Sequence, residues 1–149
     1  MNKDSKWMQM ALTQAEKAES LGEVPIGAVL IKDETLIAQA YNQPILASDP
    51  TAHAEIKLLQ AAGKITNNYR LTGSTLYVTL EPCIMCLGAI MHARISQVIF
   101  GAYDPKTGVC GSCEDLTKLN CFNHRIDITG GVLEEESKNL LHSFFKSKR

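Results

Sequence analysis

Two short stretches about thirty residues apart constrain this chain more than anything else in it: "DPTAHAEI" at 49–56 and "TLEPCIMC" at 79–86. Each reads as a helix start, and each carries side chains that bind metals. Pro82 suits a first helical position, where its missing N–H would have had no partner anyway. Cys83 and Cys86, three apart, can share one face of the helix that follows. A lone C-x-x-C can also be a redox pair or two small buried residues. His53 lies in a second helix start, where Asp49 or Thr51 is placed to cap and Thr51 would leave His53 in the first turn. If both pieces serve one site, two helix beginnings must converge on one point, which restricts the fold severely.

Three protein ligands, His53, Cys83 and Cys86, match the number found in catalytic rather than structural zinc sites, where a fourth position is left for water. Two thiolates and an imidazole favour zinc over iron. Glu55, two residues after His53, is placed to overhang such a site without ligating it, as a proton shuttle requires. In isolation, His53 would read as a core histidine and Glu55 as a surface acid. Together with "PCIMC" after a strand they read as one catalytic metal centre.

The rest of the chain alternates helices and strands. Apolar positions Trp7, Met8, Ala11, Leu12, Ala15 and Ala18 recur at helical spacing, predicting a helix over about 5–21 with Gly22 as its C-cap. "IGAVLIK" and "LIAQAYN" flank Asp33-Glu34-Thr35 as a β-hairpin. A helix over 53–62 ends at Gly63, "STLYVTL" is a strand, and 83–93 is a largely apolar helix. "SQVIFGA" is a further strand, "IDIT" a short last one, and 134–146 a closing helix. The pattern predicts a single α/β domain over 1–149 with a mixed or largely parallel sheet.

The net charge of -1 advertises no long-range positive field. The N-terminus lacks the apolar core of a signal peptide, so a cytoplasmic protein is expected. Five cysteines, an odd number without a secretory signal, speak against a disulfide scaffold. Cys110, Cys113, Cys121 and His124 mimic a second zinc site, but only seven residues separate Cys113 from Cys121, few for a closed finger. They are expected to be incidental.

"EVPIGAVL", "YNQPI", "DPTAHAEI", "NYRLTGSTLYVTLEPCIMC", "GAIMHARI", "VIFGAYDPKTG" and "NHR" resemble the bacterial tRNA-specific adenosine deaminases, within the cytidine and deoxycytidylate deaminase superfamily. Only the ends and the segment around 110–121 match loosely. The resemblance implies a three-layer α/β/α cytidine deaminase-like fold with a five-stranded mixed sheet and both metal-binding helices beneath it. It implies one zinc ion per subunit, a homodimer with active sites near the subunit interface, and deamination of adenosine to inosine at the wobble position of a tRNA anticodon, that of the arginine tRNA reading ACG. In that reaction a zinc-bound hydroxide attacks C6 of adenine while Glu55 shuttles protons.

By the same resemblance Asn42 and the Ala54 backbone N–H contact the base or ribose, and Pro25 and Ile26 form pocket wall. Arg70, Asp104, Lys106, Asn123, His124 and Arg125 match positions near the substrate channel. In the tail, Phe144, Phe145, Lys146, Lys148 and Arg149 suit stacking and phosphate contact in an anticodon loop. One phenylalanine is expected to be buried and the other to reach substrate. The rival activities are deamination of a free base or nucleotide (guanine, cytosine or deoxycytidylate) and a catalytically dead RNA-binding or structural subunit. An intact Glu55 argues against the last.

Overall fold

The computed structural model describes residues 2–148. Helix α1 (Lys3–Ser20) is followed by the hairpin β1 (Gly27–Lys32) and β2 (Thr35–Tyr41), then the short α2 (Pro44–Ala47) and the longer α3 (Ala54–Thr66). Then come β3 (Thr75–Leu80), α4 (Ile84–His92), β4 (Gln97–Ala102), β5 (Asp127–Thr129) and α5 (Glu134–Ser147). The strands form one mixed sheet in the order β2-β1-β3-β4-β5. β1 runs antiparallel to β2 and β3, and β3, β4 and β5 run parallel.

Alternation along the strands builds the three layers. Ala28, Leu30, Leu76, Val78, Val98 and Phe100 face α3 and α4, where Leu58, Ala62 and Ile90 meet them. Val29, Ile31, Tyr77 and Ile99 point the other way, onto Trp7, Met8 and Ala11 of α1. Gly27 lets α1 lie this close. A Cβ there would sit 2.5 Å from the Ala15 backbone nitrogen and also strike the Ala11 carbonyl. The hairpin turns on Asp33 and Glu34, both left-handed (φ 51° and 59°), the pairing of a type I′ turn.

Three local expectations are corrected. Helix α3 does not stop at Gly63 but runs to Thr66, because Asn67 takes the left-handed C-cap instead (φ 53°) and its N–H bonds back to the last turn. Neither Asp49 nor Thr51 caps α3: the Asp49 carboxylate accepts from the Thr51 N–H and hydroxyl, a closed local turn. His53 itself is the N-cap, and in α4 the N-cap is Cys83, with Pro82 outside the helix. The short helix α2 was not expected. It starts at Pro44, and its Ile45 and Leu46 N–H groups donate to the buried Glu23 carboxylate at 3.2 and 2.7 Å.

Candidate active site

Strand direction decides what meets at the site. The C-terminal ends of β2, β3 and β4 and the N-terminal end of β1 lie at one end of the sheet. Pro25, Ile26, Asn42, Cys83, Asp104 and Lys106 all lie within four residues of those ends. The Asn42 N–H donates to the Ile26 carbonyl at 2.9 Å, and the Gln43 N–H to the Ala52 carbonyl at 3.0 Å, which ties the start of α3 to the same end.

Here the two helix beginnings converge. His53 Nδ1 lies 3.6 Å from Cys83 Sγ and 3.5 Å from Cys86 Sγ. All three donor atoms fall within 4.8 Å of one another, and among the described residues this is the one His/Cys/Asp/Glu cluster so arranged. Zinc–sulfur and zinc–nitrogen bonds of about 2.3 and 2.0 Å in a tetrahedron would separate sulfur from nitrogen by about 3.5 Å. The residues therefore fit such an ion. Cys83 at the N-cap and Cys86 three residues on meet because an N-cap side chain turns back over the first turn.

The electrostatics suit ligation and proton transfer. A hydrogen bond from Cys86 brings the Cys83 thiol down to about 4, with His53 adding to the effect, so Cys83 is a thiolate, the form that binds metals. The same bond pushes Cys86 up, and His53 is raised first by its bond to Cys83. Glu55 is 4% exposed, and burial pushes its carboxyl up to about 7. Asn42 is 5% exposed and its side-chain oxygen has no hydrogen-bond partner among the described residues.

The whole chain matches the MafB19-like deaminase family, over residues 1–149. It is 51% identical over 147 residues to the tRNA-specific adenosine deaminase of Haemophilus influenzae, covering 98% of this chain and 85% of that one. The chain belongs to the tRNA-specific adenosine deaminase family. The Bacillus subtilis member is 45% identical over 149 residues, covering 100% of this chain and 92% of that one. A structure from a study of A-to-I editing by tRNA:A34 deaminases at the wobble position of transfer RNA superposes with a TM-score of 0.89. It is 42% identical and covers 92% of this chain and 99% of its own. A guanine deaminase from Nitrosomonas europaea shares the fold, with a TM-score of 0.82 at 20% identity, covering 97% of this chain and 85% of that one.

Not every residue singled out in this deaminase reaches the metal cluster. The His124 Nε2 bonds to the Ile95 carbonyl at 2.6 Å, just before β4 begins. That puts Asn123, His124 and Arg125 at the opposite end of the sheet, about 16 Å away along β3. Arg70 also lies there: it follows the far end of α3, packs over the exposed Tyr69 ring, and precedes Leu71, whose N–H reaches the last turn of α4. The parallel course of β4 and β5 forces this separation. Cys110, Cys113 and Cys121 do not converge with His124 on a second metal cluster among the described residues.

At the tail, Phe144 is buried and Phe145 is 47% exposed. Phe145, Lys146 and Lys148 share a groove of about 820 Å³ with His142 and Lys106. Arg149 lies outside the described residues. Two buried acids went unassigned in the sequence. Glu23 holds α2, and Glu81 holds the loop after β4. In the sequence each is a lone carboxylate within two residues of a proline, in "EVPI" and "LEPC".

Proposed function

We propose that this deaminase converts adenosine to inosine at the wobble position of a tRNA anticodon, the arginine tRNA reading ACG being the first candidate. The observation that carries the chemistry is a three-donor cluster of tetrahedral dimensions, with the buried Glu55 carboxylate in hydrogen-bond contact with Cys86. His53, Cys83 and Cys86 would hold zinc, which when bound supplies Lewis acidity that makes a water nucleophilic near neutral pH.

The chain's own groups do the rest. Glu55 accepts one proton of the attacking water on its carboxylate and passes it to N1 of the adenine ring. It then takes the second proton from the new C6 hydroxyl and gives it to the amino group, so that the C6–N bond breaks, ammonia leaves and the C6 carbonyl of inosine forms. The buried, unpartnered Asn42 oxygen accepts a ribose or base donor, and the Ala54 N–H, at the first turn of α3, meets the base edge. Pro25 and Ile26 wall the pocket and exclude water.

The anticodon loop lies along the groove of Lys106, Phe145, Lys146 and Lys148, its phosphates on the lysines and an unstacked base on Phe145. A homodimer forms through the outer faces of α3 and α4. There lies a groove of about 890 Å³ lined by Ile56, Leu59, Tyr69 and Ala89, and Ile65 of α3 and Ile84 of α4 are exposed. Among the described residues no helix is long and apolar enough to cross a membrane, and we place the enzyme in the cytoplasm with its tRNA.

The test is deamination of an anticodon stem-loop with adenosine at the wobble position, beside free adenosine, guanine and cytidine. Inosine in the stem-loop alone upholds the assignment. Turnover of a free base or nucleoside instead would remove the RNA half and keep the metal chemistry.

A further inference from the structure

Glu81 is 2% exposed, and no ion pair neutralises it among the described residues. Such a carboxylate is costly to bury unless hydrogen bonds replace its water. Its donors all come from one loop. Oε1 accepts the Asp104 N–H at 3.0 Å and the Ser112 hydroxyl, and Oε2 accepts the N–H groups of Cys110 and Ser112 at 2.9 and 3.1 Å. The Val109 N–H adds a bond to the Pro82 carbonyl at 3.0 Å, so this loop is strapped to the segment that delivers Cys83. Gly108 allows the close approach, since a Cβ there would stand 2.6 Å from both Glu81 Oε1 and the Asp104 carbonyl.

We propose that Glu81 is a positioning residue for the RNA. Its carboxylate fixes the 104–112 loop, and thereby Asp104 and Lys106, in register with the metal-binding start of α4. Asp104 in turn organises the tip, accepting from the Lys106 and Thr107 N–H groups at 3.1 and 3.2 Å. Lys106 then stands in the groove it shares with Lys146 and Lys148. One strand end thus carries the metal ligand, and the residue two before it sets the distance from the metal to a phosphate-binding lysine. The inference rests on the RNA reading above.

The replacement that tests it is Glu81→Gln, in the zinc-loaded full chain. Each carboxylate oxygen faces at least one backbone N–H, so an amide NH₂ confronts a donor whichever way it is turned. The expected result has four parts. Metal content stays at one ion per chain, and kcat on the anticodon stem-loop stays within about threefold. KM rises by about tenfold, the sign of lost substrate positioning rather than lost chemistry. Hydrogen exchange at the amides of Asp104, Cys110 and Ser112 accelerates together.

Gly108→Ala pushes the same loop away from the other side while leaving Glu81 intact, and should raise KM in parallel if Glu81→Gln does not fold. An unchanged KM with faster exchange at those amides overturns the inference, as does a fall in kcat with KM constant. A wild-type chain that neither binds nor edits any stem-loop overturns the RNA reading and this inference with it. Slow amide exchange in that chain would show that the clamp itself stands and that the failure lies in the substrate.

Discussion

His53 and Cys83 hold the same position in two different helices: each is the residue just before the first turn, with extended backbone (ψ 157° and 175°) and no capping hydrogen bond from its side chain. A cap side chain ordinarily satisfies the free N–H groups of the first turn. Here both are turned to one shared point instead. Two helix beginnings, each with partial positive charge, thus face the thiolate of Cys83 and stabilise it.

Removing Glu55, the proposed proton carrier, should leave the proposed metal site intact. Glu55→Gln is nearly the same shape and touches no ligand bond, so one ion per chain should remain by elemental analysis. Editing of the stem-loop should fall by about 10²–10⁴-fold, the usual contribution of a placed acid–base group. Metal loss in this variant would move Glu55 among the ligands.

Removing a ligand should do the reverse. Cys86 is fully buried, and Cys86→Ala deletes one of three donors, so metal content should drop below stoichiometry and activity with it. A chelator should do the same to the unaltered chain. Replacing Cys110, Cys113 and Cys121 together should leave one ion per chain, since they form no cluster.

The cysteines should also differ in reactivity. Burial pushes the Cys110 thiol up to about 12, with the Glu81 and Asp115 carboxylates adding to it, whereas Cys113 and Cys121 are exposed. Iodoacetamide at pH 8 should therefore modify Cys113 and Cys121 and spare Cys110. The linkage has a definite sign. A thiol whose folded pKa is raised favours the folded state fully below its ordinary value of about 9, and that advantage is lost as pH rises toward 12. Unfolding midpoints should accordingly fall between pH 9 and 12, and less so in Cys110→Ala.

The lysine groove predicts a salt effect. Lys106→Ala should weaken stem-loop binding at low salt and flatten the plot of log K against log salt by about 0.7, one phosphate contact to a single strand. A slope equal to that of the unaltered chain would place Lys106 off the RNA path.

Gly27→Ala tests the layer above the sheet. The added methyl meets backbone of α1 rather than a side chain that can rotate away, so α1 must lift from β1. Overpacking of this kind costs about 1–3 kcal/mol. At this chain length, thermal unfolding should come at least about 2–4 °C earlier per kcal/mol.

Much of this was readable in the residues themselves. His53, Cys83 and Cys86 stood out because residues able to ligate a metal are few in kind and their spacing near helix starts is restrictive; the structure brings their donor atoms within 4.8 Å of one another. The strands and the α1 face followed from periodicity. What escaped depended on partners far away in sequence. Asp49 and Thr51 look like a cap until their mutual hydrogen bonds are seen. Gly63 looks like a helix end until Asn67 supplies the left-handed turn. Asn123, His124 and Arg125 sit at the remote end only because β5 runs parallel to β4, which no local pattern records. Glu23 and Glu81 are single acids whose donors lie more than twenty residues on.

The connection from β4 to β5 is fastened twice, by Glu81 at its near side and by His124 on Ile95 at its far side. Between those fastenings, residues 118–121 are all exposed and carry no regular structure. That stretch should accept a foreign peptide, an affinity tag or a second protein without disturbing the candidate site.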